Sequence, residues 1–371
     1  MVEGARPSIA GGGIKMAMDM IVPAFPKAGV PRHPVERLTV KLKAKRRETP
    51  DTMSFVFEVM EGVLRHYPGQ AVSLDLPMPQ GTVTRTFTVA SAPNLNNWFE
   101  LTIKAAPDGY ATRWMQEVLA VGDEITGRGA FGTFSIMYYP NTPLLLIGGG
   151  SGFTPMMSTL RWLSERGETT DVVVIQVARS KKDLLFCEEL DQIVTQMSTI
   201  KLFNVLSAPR KGEAWSGYRG RPDRAMIRAM VPDAYRRQTL CCGPIGFMDH
   251  MGKVLRAEGL DRARFLTESF GQKMAVPQDV VQPINGDGIT VSIGAQTFDV
   301  APDVPLSTSL AAAGKRIPTG CGEGQCGTCR VRLLEGEIEM DHQGGLSQQE
   351  EHQGYILACC TRPKTAIKIA I

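Results

Sequence analysis

Four cysteines near the C-terminus constrain this 371-residue chain more than any other feature of its sequence. Four residues separate Cys321 from Cys326, two separate Cys326 from Cys329, and Cys359 follows after residues 330–358. Two irons bridged by two sulfides need four thiolates, and one tight loop can bring three of them together. The glycines between these cysteines let the backbone curl round a cluster and direct N–H groups at its sulfurs. The spacing therefore predicts a [2Fe–2S] cluster.

Other interpretations of the same cysteines fit the spacing less well. A structural zinc site favours repeated C-x2-C pairs, and a disulfide framework is typical of short secreted chains. A Rieske centre would need two cysteines and two histidines. Because Cys360 directly follows Cys359, the residues alone leave the fourth cluster ligand open between these two.

The composition sets broad limits on the rest of the chain. A hydrophobic fraction of 43% and a charged fraction of 21% describe an ordinary globular protein, long enough for two or three domains. The net charge of +3 gives no reason to expect nucleic acid as a partner. The apolar stretch Ile14–Phe25 is too short for membrane insertion, and the eight cysteines lead us to expect the cytoplasm. Residues 1–35, rich in Gly and Pro, are predicted to form an N-terminal arm.

Residues 36–140 carry the pattern of short antiparallel strands. Apolar and polar residues alternate in Val35–Ala44 and in Thr52–Val59. Ala71–Leu76 and Phe99–Ile103 continue the series between turns rich in Pro and Gly. Short strands at this spacing predict a small antiparallel β-barrel.

Residues 141–272 carry a different pattern, in which strands and helices alternate. Leu144–Ile147 is predicted to be a buried strand, and Gly148–Pro155 (GGGSGFTP) a glycine-rich turn that leads into an apolar helix. Val172–Val177 predicts the next parallel strand. This is the βα turn of a doubly wound α/β domain, where the pyrophosphate of a dinucleotide binds.

The remaining residues are predicted to form a linker and a third domain. Gly271–Asp287 carries two prolines and two glycines, and we place a linker at residues 273–287. Residues 288–371 then show two short strands, a helix at Ser309–Gly314, the cluster loop and further strands. This order predicts an α+β domain.

Several of these motifs resemble those of the ferredoxin–NADP reductase superfamily, and the resemblance covers nearly all of residues 36–371. Arg85–Thr88 (RTFT) resembles the R-x-[YF]-[ST] motif of its flavin barrel. GGGSGFTP resembles its G-G-[GS]-x-G-[IF]-T-P turn, and Cys242–Met248 (CGPIGFM) resembles its C-G-P-x-x-[FM]-M segment. The third domain resembles a β-grasp ferredoxin of the plant type, which favours Cys359 as the fourth ligand.

The resemblance implies roles for residues of the barrel. The arginine of RTFT would hold the flavin phosphate with its fork of donors, the aromatic ring would pack on the flavin, and Thr88 would face flavin N5. Gly109–Met115 resembles the family's G-x-x-[ST] segment, where a helix N-terminus meets the flavin phosphate. Taken alone, this segment predicts an ordinary helix with Thr112 as its N-cap. The predicted flavin contacts are Arg85, Phe87, Thr88, Val89, Gly109 and Thr112.

The resemblance also implies roles in the nucleotide domain. Cys242 would lie close to nicotinamide C4. Glu268–Phe270 resembles the E-x-F that closes this domain, and its aromatic ring would cover the flavin and give way to nicotinamide. Thr88, Cys242, Glu268 and Phe270 are therefore the predicted catalytic residues. The predicted nucleotide contacts are Gly149, Gly150, Gly152, Thr154, Pro155, Arg179, Cys242, Gly243, Pro244 and Phe270.

As a whole, the resemblance implies a reductase that takes hydride from NADH or NADPH. It would pass electrons through FAD, with FMN as the alternative, and through the cluster to a partner metalloenzyme. A narrower likeness over Gly344–Pro363 is to reductases serving Rieske-type monooxygenases that demethylate quaternary amines, such as glycine betaine, carnitine and stachydrine. The alternatives are the reductase of a hybrid-cluster protein or of a di-iron desaturase, or a non-enzymatic electron carrier.

Overall fold

The structure is a computed structural model that describes residues 35–93, 96–105, 109–268, 288–317, 319, 322, 324, 327–342, 345–346 and 348–371. The predicted linker lies outside these residues, and so does the predicted N-terminal arm apart from Val35. The described residues form an antiparallel barrel, a parallel α/β sheet and a smaller mixed sheet. This confirms the predicted multi-domain fold class. Among the described residues, no helix is long and apolar enough to span a bilayer.

The first six strands form one antiparallel sheet. They are β1 (Glu36–Thr49), β2 (Thr52–Val59), β3 (Ala71–Met78), β4 (Gly81–Thr88), β5 (Trp98–Lys104) and β6 (Glu124–Phe131), with helix α1 (Tyr110–Glu117) between β5 and β6. The strand order is β4-β3-β6-β1-β2-β5. A bridge between Val89, just after β4, and Leu101 of β5 brings the two edge strands together. Alternating apolar side chains fill the interior, so the predicted barrel is confirmed.

Strand β6 lacks the alternating pattern that predicts the other barrel strands, and two of its glycines give the reason. A Cβ on Gly127 would lie 2.4 Å from the Ser73 carbonyl oxygen. A Cβ on Gly129 would lie 2.5 Å from Val72 Cγ1. Close approach of β3 therefore requires glycine at both positions, and glycine removes the side chains on which the pattern depends.

The second body is a six-stranded, fully parallel sheet with helices on both faces. Its strand order is β10-β9-β8-β7-β11-β12, so the direction of progression reverses between β7 and β11. One buried cluster lies on each face of the sheet, as in a doubly wound fold. The elements are β7 (Leu144–Gly149), α2 (Thr154–Arg166), β8 (Val172–Ala178), α3 (Cys187–Gln196), β9 (Ile200–Leu206), β10 (Tyr218–Arg219), α4 (Arg224–Met230), β11 (Gln238–Cys242), α5 (Ile245–Ala257) and β12 (Phe265–Glu268).

The third body is a mixed five-stranded sheet with a two-stranded ribbon beside it. The sheet order is β14-β13-β19-β15-β17, and β16 pairs with β18. The helix predicted at Ser309–Gly314 instead spans Leu306–Ala312, with Pro305 as its N-cap. The elements are β13 (Ile289–Ile293), β14 (Gln296–Val300), α6 (Leu306–Ala312), β15 (Arg330–Glu335), β16 (Ile338–Met340), α7 (Gln348–His352), β17 (Tyr355–Leu357), β18 (Thr361–Pro363) and β19 (Ile367–Ala370).

The barrel and the α/β body share one buried core. Tyr67 and Met137 of the barrel side are fully buried in the same cluster as Phe153, which directly precedes α2, and as Met156 and other apolar residues of α2. Burial of this much apolar surface disfavours separation of the two bodies in water. Helix α2 therefore packs against the barrel and joins the two bodies.

Candidate functional site

Four predicted flavin contacts lie on or directly after β4. Arg85 is exposed, and its Nη1 donates to the preceding carbonyl at 2.8 Å. Phe87 is half-buried against the barrel core, while Thr88 and Val89 are buried. The Val89 N–H donates to the Gln70 carbonyl and ties this strand end to the loop before β3. Since successive strand residues point to opposite faces, Arg85 and Phe87 share one face and Thr88 lies on the other.

The second predicted flavin segment does begin a helix, but with a different cap. Helix α1 starts at Tyr110 with Gly109 as its N-cap, and no side chain caps it. Thr112 lies inside the first turn, where its hydroxyl donates to the Gly109 carbonyl at 3.3 Å. Thr112 as the N-cap is therefore wrong. The first N–H groups of a helix have no partner within the helix, so this end is suited to a phosphate.

The predicted nucleotide turn connects β7 to α2. Gly150 has a φ of +57°, and a Cβ there would meet nothing within 4 Å, so the need for glycine is conformational. Thr154 begins the helix, and its hydroxyl donates to the Ser151 carbonyl at 3.0 Å. Pro155 lies in the first turn, where its missing N–H leaves no helical bond unmade. The turn thus aims a helix N-terminus at the carboxyl end of the sheet.

Gly152 and Gly243 meet where the strand order of the sheet reverses. A Cβ on Gly152 would lie 2.4 Å from the Cys242 carbonyl oxygen and 2.5 Å from the Gly243 nitrogen. A Cβ on Gly149 would lie 2.9 Å from the Phe247 ring. The two turns therefore pack backbone against backbone at the switch point, which is where open α/β sheets bind their ligands.

Three of the four predicted catalytic residues converge between the barrel and the parallel sheet. Cys242 ends β11 and Glu268 ends β12, and the two residues are partners in the parallel register. Thr88 Oγ1, at the end of β4, donates to Glu268 Oε2 at 3.4 Å across 180 positions of sequence. The structure thus gathers a hydroxyl, a carboxylate and a thiol from three strand ends.

The surroundings of Cys242 keep its thiol protonated. Burial raises the pKa of Cys242 well above its ordinary value, and the negative charge of Glu268 raises that pKa further. A thiol is a nucleophile or metal ligand only after it loses its proton. Cys242 therefore contributes a small neutral surface at this point.

Two further predicted nucleotide contacts lie at the exposed rim of the sheet. Arg179 directly follows β8 and has a 66% exposed side chain, 3.5 Å from Asp51 and 3.9 Å from Asp183. Pro244 is the exposed N-cap of α5. Exposed ion pairs contribute little free energy, so Asp51 and Asp183 hold the Arg179 side chain only weakly, and its nucleotide contact stays a prediction.

Two predicted cluster ligands share a buried site in the third body. Cys329 and Cys359 are buried, and the Cys359 N–H donates to Cys329 Sγ at 3.4 Å. The Gly324 N–H, with φ at +70°, donates to Cys359 Sγ at 3.3 Å. N–H groups directed at sulfur stabilise thiolates, so these donors fit a [2Fe–2S] cluster. Cys360 Sγ instead donates to the Leu357 carbonyl at 3.5 Å, which supports Cys359 as the ligand.

Three predicted site residues, Phe270, Cys321 and Cys326, lie outside the residues that the structure describes. Their roles stay predictions. Phe270 comes two positions after Glu268, and Cys326 comes three positions before Cys329, so each adjoins a described part of its site.

Because β11 carries two buried thiols, we expect the free energy of unfolding to fall at alkaline pH. Burial raises the pKa of both Cys241 and Cys242. The unfolded chain releases these protons near its ordinary cysteine pKa of about 8.5, while the folded chain keeps them. The two thiols should therefore leave the unfolding free energy unchanged below about pH 8.5. Above that pH they should lower it, by up to about 1.4 kcal/mol per pH unit for each thiol.

Urea unfolding at about pH 8 and about pH 10 measures this slope. A Cys241→Ala variant, which keeps Cys242, should show a shallower fall than the wild-type protein. Equal slopes for the two proteins would contradict the assignment of the pH dependence to these thiols.

Each of the three bodies matches a known protein family. An oxidoreductase FAD-binding domain model matches residues 39–136, an oxidoreductase NAD-binding domain model matches residues 146–253, and a 2Fe–2S iron–sulfur cluster binding domain model matches residues 289–364. The glycine betaine monooxygenase reductase subunit of Chromohalobacter salexigens is 34% identical over 342 residues, covering 87% of this chain and 92% of that protein. The chain belongs to the ferredoxin–NADP reductase superfamily. It is an oxidoreductase of the ferredoxin reductase type, with FAD, NAD(P)H and [2Fe–2S] domains.

Two further comparisons bear on this reductase. The stachydrine N-demethylase reductase subunit Stc4 of Rhizobium meliloti is 36% identical over 328 residues, covering 87% of this chain and 93% of that protein. The crystal structure of the Amycolatopsis cytochrome P450 reductase GcoB is similar with a TM-score of 0.58 at 25% identity, covering 66% of this chain and 72% of that one. The predicted family, fold and cofactors are thereby confirmed.

The described residues of the reductase fit the cofactors of its family. Gly150 and Gly152 leave the nucleotide turn without side chains, and N–H groups point at the sulfurs of Cys329 and Cys359. When bound, FAD accepts hydride from a nicotinamide and releases single electrons, and a [2Fe–2S] cluster carries one electron at a time. The protein itself supplies binding, orientation and electrostatics.

Sequence reasoning missed one set of polar residues beside this site. Arg161 of α2 is buried and forms ion pairs with Glu100 of the barrel and Glu189 of α3. The only sign of this network in the sequence is that an arginine lies within Met156–Leu163, where the other residues are apolar or small. Its partners cannot be read from that signal, because they lie far away along the chain.

Proposed function

We propose that this reductase supplies electrons to a Rieske-type monooxygenase that demethylates a quaternary amine of the glycine betaine or stachydrine kind, in the cytoplasm. One observation carries the proposal. Relatives that are 34% and 36% identical along nearly the whole chain are reductase subunits of a glycine betaine monooxygenase and of a stachydrine N-demethylase. Conversion of one hydride into two single electrons is what an oxygenase with one-electron metal centres requires of its reductase.

In this proposal each body has one task. The barrel holds FAD, the parallel sheet holds NADH or NADPH, and the third body exports electrons from its cluster. The domains are the arm at residues 1–35, the flavin barrel at 36–140, the nucleotide domain at 141–272, the linker at 273–287 and the ferredoxin domain at 288–371. The cluster ligands are Cys321, Cys326, Cys329 and Cys359.

The flavin and nicotinamide subsites meet at the three strand ends described above. Arg85 and the α1 N-terminus at Gly109 and Thr112 bind the flavin phosphates, and Phe87 and Val89 line its ring. The turn Gly149–Pro155 binds the nucleotide pyrophosphate. Thr88 holds its hydroxyl toward the flavin ring, Glu268 orients that hydroxyl, and Cys242 with Gly243 lines the nicotinamide side. Phe270 covers the flavin until nicotinamide displaces it.

Replacing Thr88 with valine, which has a similar shape, should slow flavin reduction by NADH about tenfold. The reason is the loss of one hydrogen bond, worth about 1.4 kcal/mol, at the reacting centre. Anaerobic stopped-flow absorbance of the purified protein measures the rate. Flavin content should stay at the wild-type level, because Thr88 does not contact the flavin phosphate in this proposal.

A Thr86→Val variant is the matched control for Thr88→Val. Thr86 lies on the same strand, and its hydroxyl is hydrogen-bonded to the Ser73 hydroxyl of β3 at 2.9 Å. Its rate of flavin reduction should equal that of the wild-type protein. Equal slowing in both variants would contradict a special role of Thr88.

Deletion of the gene tests the proposed partner. The deletion strain should lose growth on glycine betaine, carnitine or stachydrine as sole carbon source. The wild-type gene should restore growth, and a gene with Cys359→Ser should not, because that variant lacks a cluster ligand. Normal growth of the deletion strain on all three compounds would overturn the proposed partner and leave the reductase chemistry intact.

A further inference from the structure

Arg161 lies in the middle of α2, between the barrel and the parallel sheet, and is 6% exposed. Its Nε and Nη2 form a fork to the two carboxylate oxygens of Glu189, at 2.7 and 2.9 Å. Its Nη1 donates across the domain boundary to Glu100 Oε1 and to the Ala90 carbonyl, both at 2.8 Å. One guanidinium thus holds a carboxylate of its own domain and two groups of the barrel.

The barrel side of this network is the chain that directly follows the flavin strand β4. The Ala90 N–H donates to the Glu100 carbonyl at 2.7 Å, and the Glu100 N–H donates to Ser91 Oγ at 3.1 Å. Arg46 approaches the second carboxylate oxygen of Glu100 at 3.3 Å. Ala90 is two positions after Thr88, so a shift of Ala90 moves Thr88 with it.

A second bond from α2 reaches the same segment. Ser158 Oγ donates to the Ser91 carbonyl at 2.8 Å, and both residues are buried. The helix that carries Ser158 and Arg161 begins at Thr154, inside the last part of the nucleotide turn. One rigid helix therefore has its N-terminus at the nucleotide turn. Within its first two helical turns it is hydrogen-bonded to the chain that follows the flavin strand.

The charges of this network are balanced although they are buried. Burial lowers the pKa of Arg161, but the negative charges of Glu100 and Glu189 outweigh burial and raise it. A buried ion network of this kind adds little net stability compared with apolar packing, because removing charges from water is costly. Its directional bonds do fix geometry, since the planar guanidinium donates its hydrogen bonds in fixed directions.

We propose that Arg161 is a positioning residue that sets the distance and angle between the nicotinamide subsite and the flavin subsite. It acts through Ala90 and Ser91 on Thr88, and through α2 on the nucleotide turn. The inference rests on the proposed flavin and nicotinamide subsites, and it is independent of the proposed oxygenase partner. Hydride transfer depends steeply on such geometry, and a misplacement of about 1 Å costs about 100-fold in rate.

The test is an Arg161→Lys variant of the full-length holoprotein. Lysine keeps the positive charge but cannot bind Glu189 and the barrel groups together. Under anaerobic conditions, the limiting rate of flavin reduction by NADH should fall about 10- to 100-fold. The Kd for NADH and the flavin content should stay unchanged. The charge-transfer absorbance of the complex between nicotinamide and flavin should weaken, and the deuterium isotope effect from NADH labelled at C4 should not decrease.

Arg166→Lys is the matched control on the same helix. Arg166 is also buried; among the described residues it forms an ion pair with Glu168, and its guanidinium stacks on Trp162, both within its own domain. This variant should keep the wild-type limiting rate and charge-transfer band, even where it loses thermal stability. An equal loss of rate in both variants, or a loss in Arg161→Lys that tracks flavin content alone, would overturn the inference.

Glu100→Gln is the second variant, for the case that Arg161→Lys does not fold. It keeps the shape of Glu100 and removes the charge that draws Arg161 to the barrel, so the limiting rate and the charge-transfer band should again fall. Wild-type values for both would overturn the inference. Absence of flavin reduction in the wild-type protein, with either NADH or NADPH, would overturn the proposed subsites together with it.

Discussion

Replacement of Cys359 by serine is expected to abolish the [2Fe–2S] cluster and, with it, electron delivery to a protein acceptor. The sulfur of Cys359 accepts an N–H from Gly324, and the Cys359 N–H donates to the sulfur of Cys329. Both bonds stabilise negative charge on sulfur, as cluster ligands require. Iron content, visible absorbance and the low-temperature paramagnetic signal of the reduced protein measure the loss. Reduction of ferricyanide, which takes electrons directly from flavin, should continue.

Cys360→Ser is the control for this prediction. Cys360 is the neighbouring thiol, and its sulfur donates to the Leu357 carbonyl at 3.5 Å, a bond that a serine hydroxyl can replace. A Cβ on Gly324 would lie 2.8 Å from the Cys360 sulfur, so this side chain packs against the loop. Cys360→Ser should keep the iron and the paramagnetic signal. Loss of the cluster in Cys360→Ser together with its retention in Cys359→Ser would exchange the two assignments.

Replacement of Gly152 by alanine is expected to disrupt the nucleotide site. The added Cβ would lie 2.4 to 2.5 Å from three backbone atoms of Cys242 and Gly243. Backbone cannot move aside as a flexible side chain does, so the turn and the end of β11 must separate. We expect the unfolding free energy to fall by about 3 kcal/mol, at the upper end for overpacking, and the affinity for NADH to fall with it.

Urea unfolding and NADH titration of the flavoprotein measure these two effects of Gly152→Ala. Gly246→Ala serves as the matched control, because a Cβ on Gly246 in the first turn of α5 would meet nothing within 4 Å. That variant should keep wild-type stability and NADH affinity. Wild-type affinity for NADH in Gly152→Ala would contradict the placement of the nucleotide at this turn.

Sequence reasoning succeeded where one short segment carries the whole chemical requirement. The cysteine spacing predicts a cluster, and the glycine turn after Leu144–Ile147 predicts a dinucleotide site, because each motif is local. Strand β6 was not predicted, since Gly127 and Gly129 remove the alternation on which strand prediction depends. The cap of α1 was predicted wrongly at Thr112, since a threonine pattern does not show whether its hydroxyl accepts or donates.

Long-range pairing explains the rest of what the sequence left out. The bond from Arg161 to Glu100 spans 61 positions, and the bond from Thr88 to Glu268 spans 180. No periodicity or spacing rule connects residues so far apart in sequence. The meeting of Thr88, Cys242 and Glu268 was expected only from the resemblance to a family, and the fold supplies its physical reason. All three are the last residues of strands whose ends face one another across the domain boundary.

In this reductase, one chain takes hydride from a nicotinamide and releases single electrons from a [2Fe–2S] cluster. The most direct test is an anaerobic titration of the purified holoprotein with NADH, and separately with NADPH, followed by absorbance and by low-temperature paramagnetic resonance. One of these nucleotides should bleach the flavin and produce the paramagnetic signal of a reduced [2Fe–2S] centre. Failure of both nucleotides to bleach the flavin would contradict this transfer of electrons from nicotinamide to the cluster.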